Sequence, residues 1–117
     1  MSHYITLPWP PLSLHPNGRS HWRDKAKATK KARFAGKIAA LETGARNLGW
    51  PGLYVTIVFC PPNSRPRDLD GCLAACKALL DGIADATGID DSLWTFGSPT
   101  MGEPVKGGCV IVEISAP

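Results

Sequence analysis

The chain has 117 residues, of which 44% are hydrophobic and 20% charged, and its formal net charge is +3 at pH 7. This length suits one domain with a single sheet-and-helix core, and the composition matches folded globular domains, which argues against intrinsic disorder. No apolar run approaches the roughly 18 residues of a membrane-spanning helix, and the start lacks a signal-peptide pattern. We therefore expect one cytoplasmic domain, residues 1–117, without a membrane segment.

The first predicted elements are a short strand and a long helix. In "HYITLPW", Ile5 and Leu7 alternate with polar neighbours before a run of prolines, which predicts a strand near a sheet edge. After a Pro-Asn-Gly turn, Ser20 is a suitable N-cap for a helix that runs to about Arg46, where "NLGWPG" ends it.

The long helix carries two lines of non-polar residues and a basic first half. An apolar stripe at spacings of four and three predicts a core-facing side, and its members are Phe34, Ile38, Leu41, Ala45 and Leu48. A second line favours close approach of a neighbouring element and consists of Ala28, Ala32, Ala35 and Ala39. Residues 19–37 hold eight Lys or Arg and one Asp, a local charge of +7, so the rest of the chain carries −4.

The second half predicts another helix among three strands. "LYVTIVFC", residues 53–60, is β-branched and aromatic and reads as a central strand covered on both faces. A helix should run from about Asp70 to Ala86, with Gly88 as its C-terminal stop. "SLWTF" and "CVIVEI" are the remaining strand candidates. The order β-α-β-α-β-β predicts a single α+β domain, a small mixed sheet with two helices.

Four cysteines occur, but no C-x-x-C pair: Cys60, Cys72, Cys76 and Cys109. A reducing compartment disfavours structural disulfides, so we expect free thiols. A zinc-stabilised interaction module built on these cysteines is an alternative.

Acidic residues gather at two connections. Asp68 and Asp70 follow the central strand, and Asp90 and Asp91 follow the second helix, so short loops can bring both pairs to one end of the sheet. Converging carboxylates repel one another unless a hard cation lies among them, and oxygen-rich clusters suit Mg²⁺. Lys77 falls on the helix face of Asp70 and can reach such a site or a phosphate.

Each of these residues also has a purely structural interpretation. Asp68 and Asp70 are what a helix N-terminus prefers for capping, and Asp90-Asp91 before a serine suits a polar turn. Asp81 lies too far along the helix to share a metal with Asp70 and is expected to pair with Lys77.

Five short motifs, taken in order, resemble the RusA family of Holliday-junction resolvases and cover nearly the whole chain. They are "LPWPP" at 7–11, "RDLD" at 67–70, "LLDGI" at 79–83, "IDD" at 89–91 and "PVKGG" at 104–108. The family comprises small homodimeric Mg²⁺-dependent endonucleases, typical of bacteriophages and prophages, that cut four-way DNA junctions in recombination and repair.

The resemblance implies a role for each matching residue. Asp68 and Asp70 correspond to the paired metal-binding acids and Asp91 to the third catalytic acid, while Lys77 resembles the catalytic lysine. Asp90 assists in metal binding or shapes the turn. The implied cofactor is Mg²⁺, with Mn²⁺ able to substitute, and the implied partners are branched DNA and a second copy of the chain.

Two positions depart from the family pattern. The family usually places Asn directly after the second acid, where this chain has Gly71, and some members have the lysine four residues after that acid rather than seven. Both lysine spacings lie on the same helix face. Glycine at position 71 is expected to cost about 1 kcal/mol of helix stability.

Basic residues supply the predicted DNA contacts. The phosphate-binding candidates on the long helix are Arg19, Arg23, Lys27, Lys30 and Lys31. Arg65 and Arg67 border the acids and are expected to grip the strand near the scissile bond. The alternative is a non-catalytic, structure-selective nucleic-acid-binding protein whose aspartates only cap a helix and a turn.

Overall fold

The structure is a computed structural model that describes residues 2–15 and 22–117. Its five strands are β1 (Ser2–Pro8), β2 (Leu53–Cys60), β3 (Trp94–Phe96), β4 (Thr100–Met101) and β5 (Cys109–Ser115). Its three α-helices are α1 (Trp22–Glu42), α2 (Leu69–Ala75) and α3 (Lys77–Thr87), and 3-10 turns cover Leu12–Leu14 and Asp91–Leu93. The predicted α+β class with a mixed sheet is confirmed.

The sheet has the order β1-β5-β2-β3, and β4 continues beyond β3 along the same edge of β2. β5 pairs antiparallel with both β1 and β2, whereas β3 and β4 run parallel to β2. The edge position of β1 and the central position of β2 are therefore as predicted. β4 escaped prediction because two residues carry no periodic pattern.

Only one face of β2 is buried throughout. Leu53, Val55 and Phe59 are fully buried, but Tyr54, on the opposite face, is 42% exposed. The expected burial on both faces is thus wrong. β-branched and aromatic side chains favour a strand even where one face of that strand is only partly covered.

Helix α1 packs on α3 at backbone distance. A Cβ added to Gly36 would lie 2.0 Å from the carbonyl oxygen of Leu79, and one added to Gly82 would lie 2.0 Å from that of Arg33. Ala32 and Ala40 are buried on the same side of α1. The close approach predicted from small residues is therefore confirmed, with glycines at its tightest points.

The large apolar residues of α1 face the other way. Phe34 is 65% exposed and Ile38 is 37% exposed, so the prediction of a core-facing stripe is wrong for both. The helix also ends at Glu42, before the expected Arg46, with Gly44 at φ 85°. The face of α1 that packs on α3 is the one with small residues, because they permit close backbone approach. The stripe of large apolar residues therefore does not decide which face is buried. The predicted start at Ser20 lies outside the described residues.

The predicted second helix is two helices. At Cys76 the backbone N–H donates to the carbonyls of both Cys72 and Leu73, at 3.2 and 3.1 Å, so one tightened turn separates α2 from α3. Gly88 ends α3 in the left-handed region, with φ 74°, as predicted. All four cysteines are free thiols, also as predicted.

Candidate active site

Asp68 begins α2. Its backbone is extended, and its carboxylate accepts a hydrogen bond from the backbone N–H of Asp70 at 3.2 Å. This is N-cap geometry, which satisfies one of the free amides of the first turn. The cap fixes Asp70 in that turn, where its side chain is exposed.

Asp90 has the same role at the second acidic pair. Its carboxylate accepts from the backbone N–H of Ser92 at 3.1 Å and from the Ser92 hydroxyl, and so caps the Asp91–Leu93 turn. The hydroxyl bond is the main reason that the pKa of Asp90 lies below its usual value, followed by the backbone bond. Asp90 therefore shapes the turn that presents Asp91.

Lys77 joins two carboxylates across the site. As the first residue of α3, it places Nζ 2.7 Å from Asp81 Oδ1 and 2.7 Å from Asp91 Oδ2. The hydrogen bonds from Lys77, first to Asp81 and then to Asp91, raise the pKa of the lysine above its ordinary value. The predicted pairing with Asp81 is confirmed, and Lys77 is held as a cation beside Asp91.

Three of the predicted catalytic side chains line one cavity of about 550 Å³: Asp70, Lys77 and Asp91. Its remaining wall is apolar and consists of Leu73, Ala74, Leu80, Trp94 and Phe96. The indole N–H of Trp94 donates to the carbonyl of Ile89 at 3.0 Å. That bond anchors the start of the loop that carries Asp91.

Asp68 lines a different cavity, of about 590 Å³, together with Arg65 and Arg67. The two acids of the "RDLD" motif thus border separate cavities on either side of the first turn of α2. Sequence proximity alone suggested that both faced one cation.

The donor chemistry of the first cavity suits a hard cation. Asp70 and Asp91 offer carboxylate oxygens, and the volume leaves room for the water ligands that Mg²⁺ keeps. Within residues 2–15 and 22–117, no group of three or more His, Cys, Asp or Glu side chains forms a metal-binding cluster. One oxygen of Asp91, Oδ2, also accepts a hydrogen bond from Lys77 Nζ at 2.7 Å, so an ammonium group lies beside this carboxylate.

Arg67 is the structural centre of its loop. Its Nη1 donates to the carbonyls of Asn63 and Arg65, at 3.1 and 3.0 Å, and its Nη2 donates to Asn63 Oδ1 at 3.0 Å. The guanidinium also lies 5.5 Å above the ring of Trp9. Sequence reasoning assigned Arg67 to DNA, and the structure shows that it also orders residues 63–67.

The basic residues of α1 lie on the solvent side of the helix. Lys27, Lys30 and Lys31 are exposed, and Arg23 lies 5.3 Å above the Trp22 ring. Arg19 falls outside the described residues.

Lys25 shares a pocket of about 270 Å³ with Lys77 and Asp81, so α1 borders the salt bridge between these two residues. Lys25 belongs to the basic segment of residues 19–37, although it is not among the residues predicted to contact DNA. Its place in that segment was the available signal.

Packing against His15 explains why residue 71 is a glycine. A Cβ at this position would lie 2.8 Å from Cε1 of His15, so the imidazole occupies the space of a side chain at residue 71. No local pattern pointed to His15, because it reaches this place from the turn after β1.

No protein-family model matches the chain. A protein of Xylella fastidiosa (strain Temecula1 / ATCC 700964), described as an uncharacterized protein, is 39% identical over 119 residues. The match covers 95% of this chain and 74% of the relative. Of the helices in the described part of the chain, none combines the length and apolarity required to cross a membrane.

Proposed function

We propose that this chain, which belongs to the same family as the Xylella fastidiosa protein, is a Mg²⁺-dependent endonuclease that cuts branched DNA. The observation that carries the proposal is the shared cavity of Asp70, Lys77 and Asp91. The motifs that resemble the RusA resolvases support four-way junctions as the substrate, with Mn²⁺ as an alternative metal. They also support action in the bacterial cytoplasm.

In this mechanism Asp70 and Asp91 would hold the metal through carboxylate oxygens, and Asp68 positions Asp70 through its cap. Mg²⁺, when bound, supplies water activation and stabilises the leaving oxygen in phosphodiester hydrolysis. Lys77 keeps a positive charge at the cavity, where it stabilises charge that develops on the phosphate. Asp81 holds the Lys77 ammonium in place from one side.

The basic face of α1 supplies sequence-independent affinity for the DNA backbone. Lys25 lies in the pocket shared with Lys77, so a strand bound along α1 passes beside the acids. A four-way junction has two-fold symmetry, and a homodimer would present two such sites to opposed strands.

The decisive experiment is cleavage of a synthetic four-way junction in Mg²⁺. We expect Asp70→Asn and Asp91→Asn each to bind the junction within about twofold of wild type and to lower the cleavage rate at least about 100-fold, because each removes an anionic metal ligand. Glu42→Gln, which alters an exposed acid at the end of α1, is the control and should cut normally. Wild-type cleavage by Asp70→Asn would refute the metal assignment.

The second candidate is a non-catalytic, structure-selective DNA-binding protein. It is favoured by the capping roles of Asp68 and Asp90, whose carboxylates both bond backbone amides. Junction binding by the wild type without symmetrical cuts, in either Mg²⁺ or Mn²⁺, would select this function over the nuclease.

A further inference from the structure

The cavity beside Asp68 is formed by three separate parts of the chain. The segment after β1 contributes Trp9 and His15, the loop after β2 contributes Arg65 and Arg67, and the turn before β5 contributes Gly107. Its volume of about 590 Å³ is similar to the volume of about 550 Å³ of the cavity that holds Asp70. It combines an aromatic ring, an imidazole and two guanidinium groups with one carboxylate, that of Asp68, so the permanent cations outnumber the anion and the lining suits an oxyanion.

Arg67 keeps donors available for a ligand. Its three hydrogen bonds all come from Nη1 and Nη2, so at least two of the five guanidinium N–H groups, including Nε–H, have no acceptor within the described ranges. The Trp9 ring and the Asn63 carbonyl hold the plane of the group. A fixed guanidinium loses little freedom when it binds an anion, which favours phosphate recognition.

In the described part of the chain, Arg65 makes fewer guanidinium hydrogen bonds than Arg67 does. Its side chain is exposed and makes no ion pair in the described part of the chain, while its backbone N–H donates to Asn63 Oδ1 at 3.1 Å. The loop is therefore ordered by backbone and Asn63 contacts, and the Arg65 guanidinium stays available at the rim of the cavity.

His15 is seated by the absence of a side chain at residue 71. The position of a Cβ on Gly71 lies 2.8 Å from Cε1 and 3.5 Å from Nε2 of His15, and 3.6 Å from Oδ2 of Asp68. The half-buried imidazole thus lies against the first turn of α2 near the Asp68 carboxylate. Any larger residue at 71 would push the ring away.

We propose that His15, Arg65 and Arg67 form a subsite for a phosphodiester next to the one that is cut, and that Gly71 is required to seat His15. The proposal rests on the proposed function for the identity of the strand. Because Asp68 lines this cavity and caps Asp70 of the other, the two cavities meet at the first turn of α2. A strand that crosses this turn places neighbouring phosphates in both cavities.

Binding in EDTA tests the subsite without requiring cleavage. The probe is a fluorescent single-stranded 12-mer, measured by anisotropy across a salt series. We expect Arg65→Ala and His15→Ala each to weaken binding about 5- to 10-fold, with the salt slope for Arg65→Ala reduced by about 0.7, the value for one phosphate contact on single strands. Arg46→Ala, which removes an exposed cation outside the cavity, should bind as wild type.

A double-substitution cycle tests the role of Gly71. Gly71→Ala should weaken binding of the 12-mer as much as His15→Ala does, because the Cβ at residue 71 displaces the imidazole ring of His15. The combined His15→Ala/Gly71→Ala variant should bind the 12-mer no more weakly than either single variant does. Circular dichroism and thermal melting verify folding, and Arg65→Ala keeps the test decisive if Gly71→Ala does not fold.

The source of the phosphate is tested by competition. A dithymidine with a phosphodiester should displace the 12-mer from wild type, whereas its neutral methylphosphonate analogue should not. Displacement by inorganic phosphate alone, at the same concentration as the dinucleotide, would contradict recognition of a strand.

The proposal is overturned if Arg65→Ala and His15→Ala both bind the 12-mer as wild type does. That result leaves the nuclease proposal intact if the wild type still cuts junctions in Mg²⁺. Conversely, loss of binding in these variants together with absent cleavage supports a phosphodiester-binding subsite and rejects the nuclease, and with it the position of the subsite next to a cut bond.

Discussion

At the scale of single residues, Asp68 combines two physical roles that the sequence presented as alternatives. Its carboxylate caps α2 by accepting from the Asp70 amide, and its negative charge lies beside the first turn of the helix that presents Asp70. Capping needs only a side-chain oxygen, whereas metal positioning is sensitive to charge. The two roles can therefore be separated by substitution.

We expect Asp68→Asn to keep the free energy of unfolding within about 0.5 kcal/mol of wild type, since Asn caps as well as Asp does, and Asp68→Ala to lower it by about 1 kcal/mol. Urea denaturation measures both values. If the nuclease proposal holds, Asp68→Asn still cuts the junction because its cap keeps Asp70 in place, whereas Asp68→Ala cuts more slowly. Equal destabilisation by the two substitutions would show that the charge, rather than the cap, stabilises α2.

At the scale of elements, the contact between α1 and α3 decides which face of α1 is buried. Backbone contact at Gly36 and Gly82 brings the helices so close that alanines fill the interface, and Phe34 is left in solvent. An apolar periodicity does not reveal this choice, because a line of small residues competes with a line of large ones for the same partner.

Gly36→Ala and Phe34→Ala should therefore have opposite consequences. The Cβ at residue 36 would lie 2.0 Å from the Leu79 carbonyl oxygen, so the helices must separate, and we expect a loss of about 3 kcal/mol. Phe34→Ala should change the free energy of unfolding by less than about 0.5 kcal/mol, against about 3–5 kcal/mol for a buried phenylalanine. Urea unfolding of both variants distinguishes the two faces.

Arg33 and Asp85 join the same two helices at the surface. Arg33 Nε lies 2.7 Å from Asp85 Oδ2 and Nη2 lies 2.8 Å from Oδ1, a two-point pair. The Arg33 hydrogen bond lowers the pKa of Asp85 below its usual value of 3.8. A carboxyl group with a lowered folded-state pKa stabilises the protein above its unfolded pKa, and this contribution is lost as the pH falls through the folded value.

Asp85→Asn should consequently be less stable than wild type at pH 7, by an amount that shrinks as the pH falls below about 4. Urea midpoints from pH 7 to pH 2.5 measure the difference. Asp24→Asn, on an exposed part of α1, serves as the comparison. A gap between Asp85→Asn and wild type that stays constant with pH would rule out the ion pair as its cause.

At the scale of the whole molecule, charge is divided between the basic surface of α1 and two acidic connections, one after the end of β2 and one before β3, which starts beside Leu53 at the beginning of β2. The helix carries seven Lys or Arg and two acids between Trp22 and Glu42. Lys25 and Lys77 share one pocket, so the two regions meet rather than lying apart. This arrangement suits a protein that holds a polyanion beside a cation site.

The triple variant Lys27→Ala/Lys30→Ala/Lys31→Ala should weaken binding to junction and linear duplex DNA to similar extents. The slope of log affinity against log salt should fall by up to about 2.7, since each phosphate contact contributes about 0.9 on duplex DNA. Fluorescence anisotropy between 50 and 200 mM salt gives the slopes, with Arg46→Ala as a single-cation control. An unchanged slope would exclude the solvent face of α1 as the DNA-binding surface.

The sequence by itself determined the elements whose signals are local. Strand β2 has the bounds that its β-branched run predicted, Gly88 ends α3 because it adopts φ 74°, and Lys77 pairs with Asp81 at the i, i+4 spacing. Backbone preference and short-range geometry suffice for such features.

Only the tertiary structure decided how distant residues meet. It turned Phe34 outward, divided Asp68 and Asp70 between two cavities, brought Asp91 to Lys77, and placed His15 against Gly71. Those arrangements depend on how closely helices pack and on which loops come together in space. Interhelical contact and loop convergence are set by the whole chain at once, so no local window of the sequence contains them.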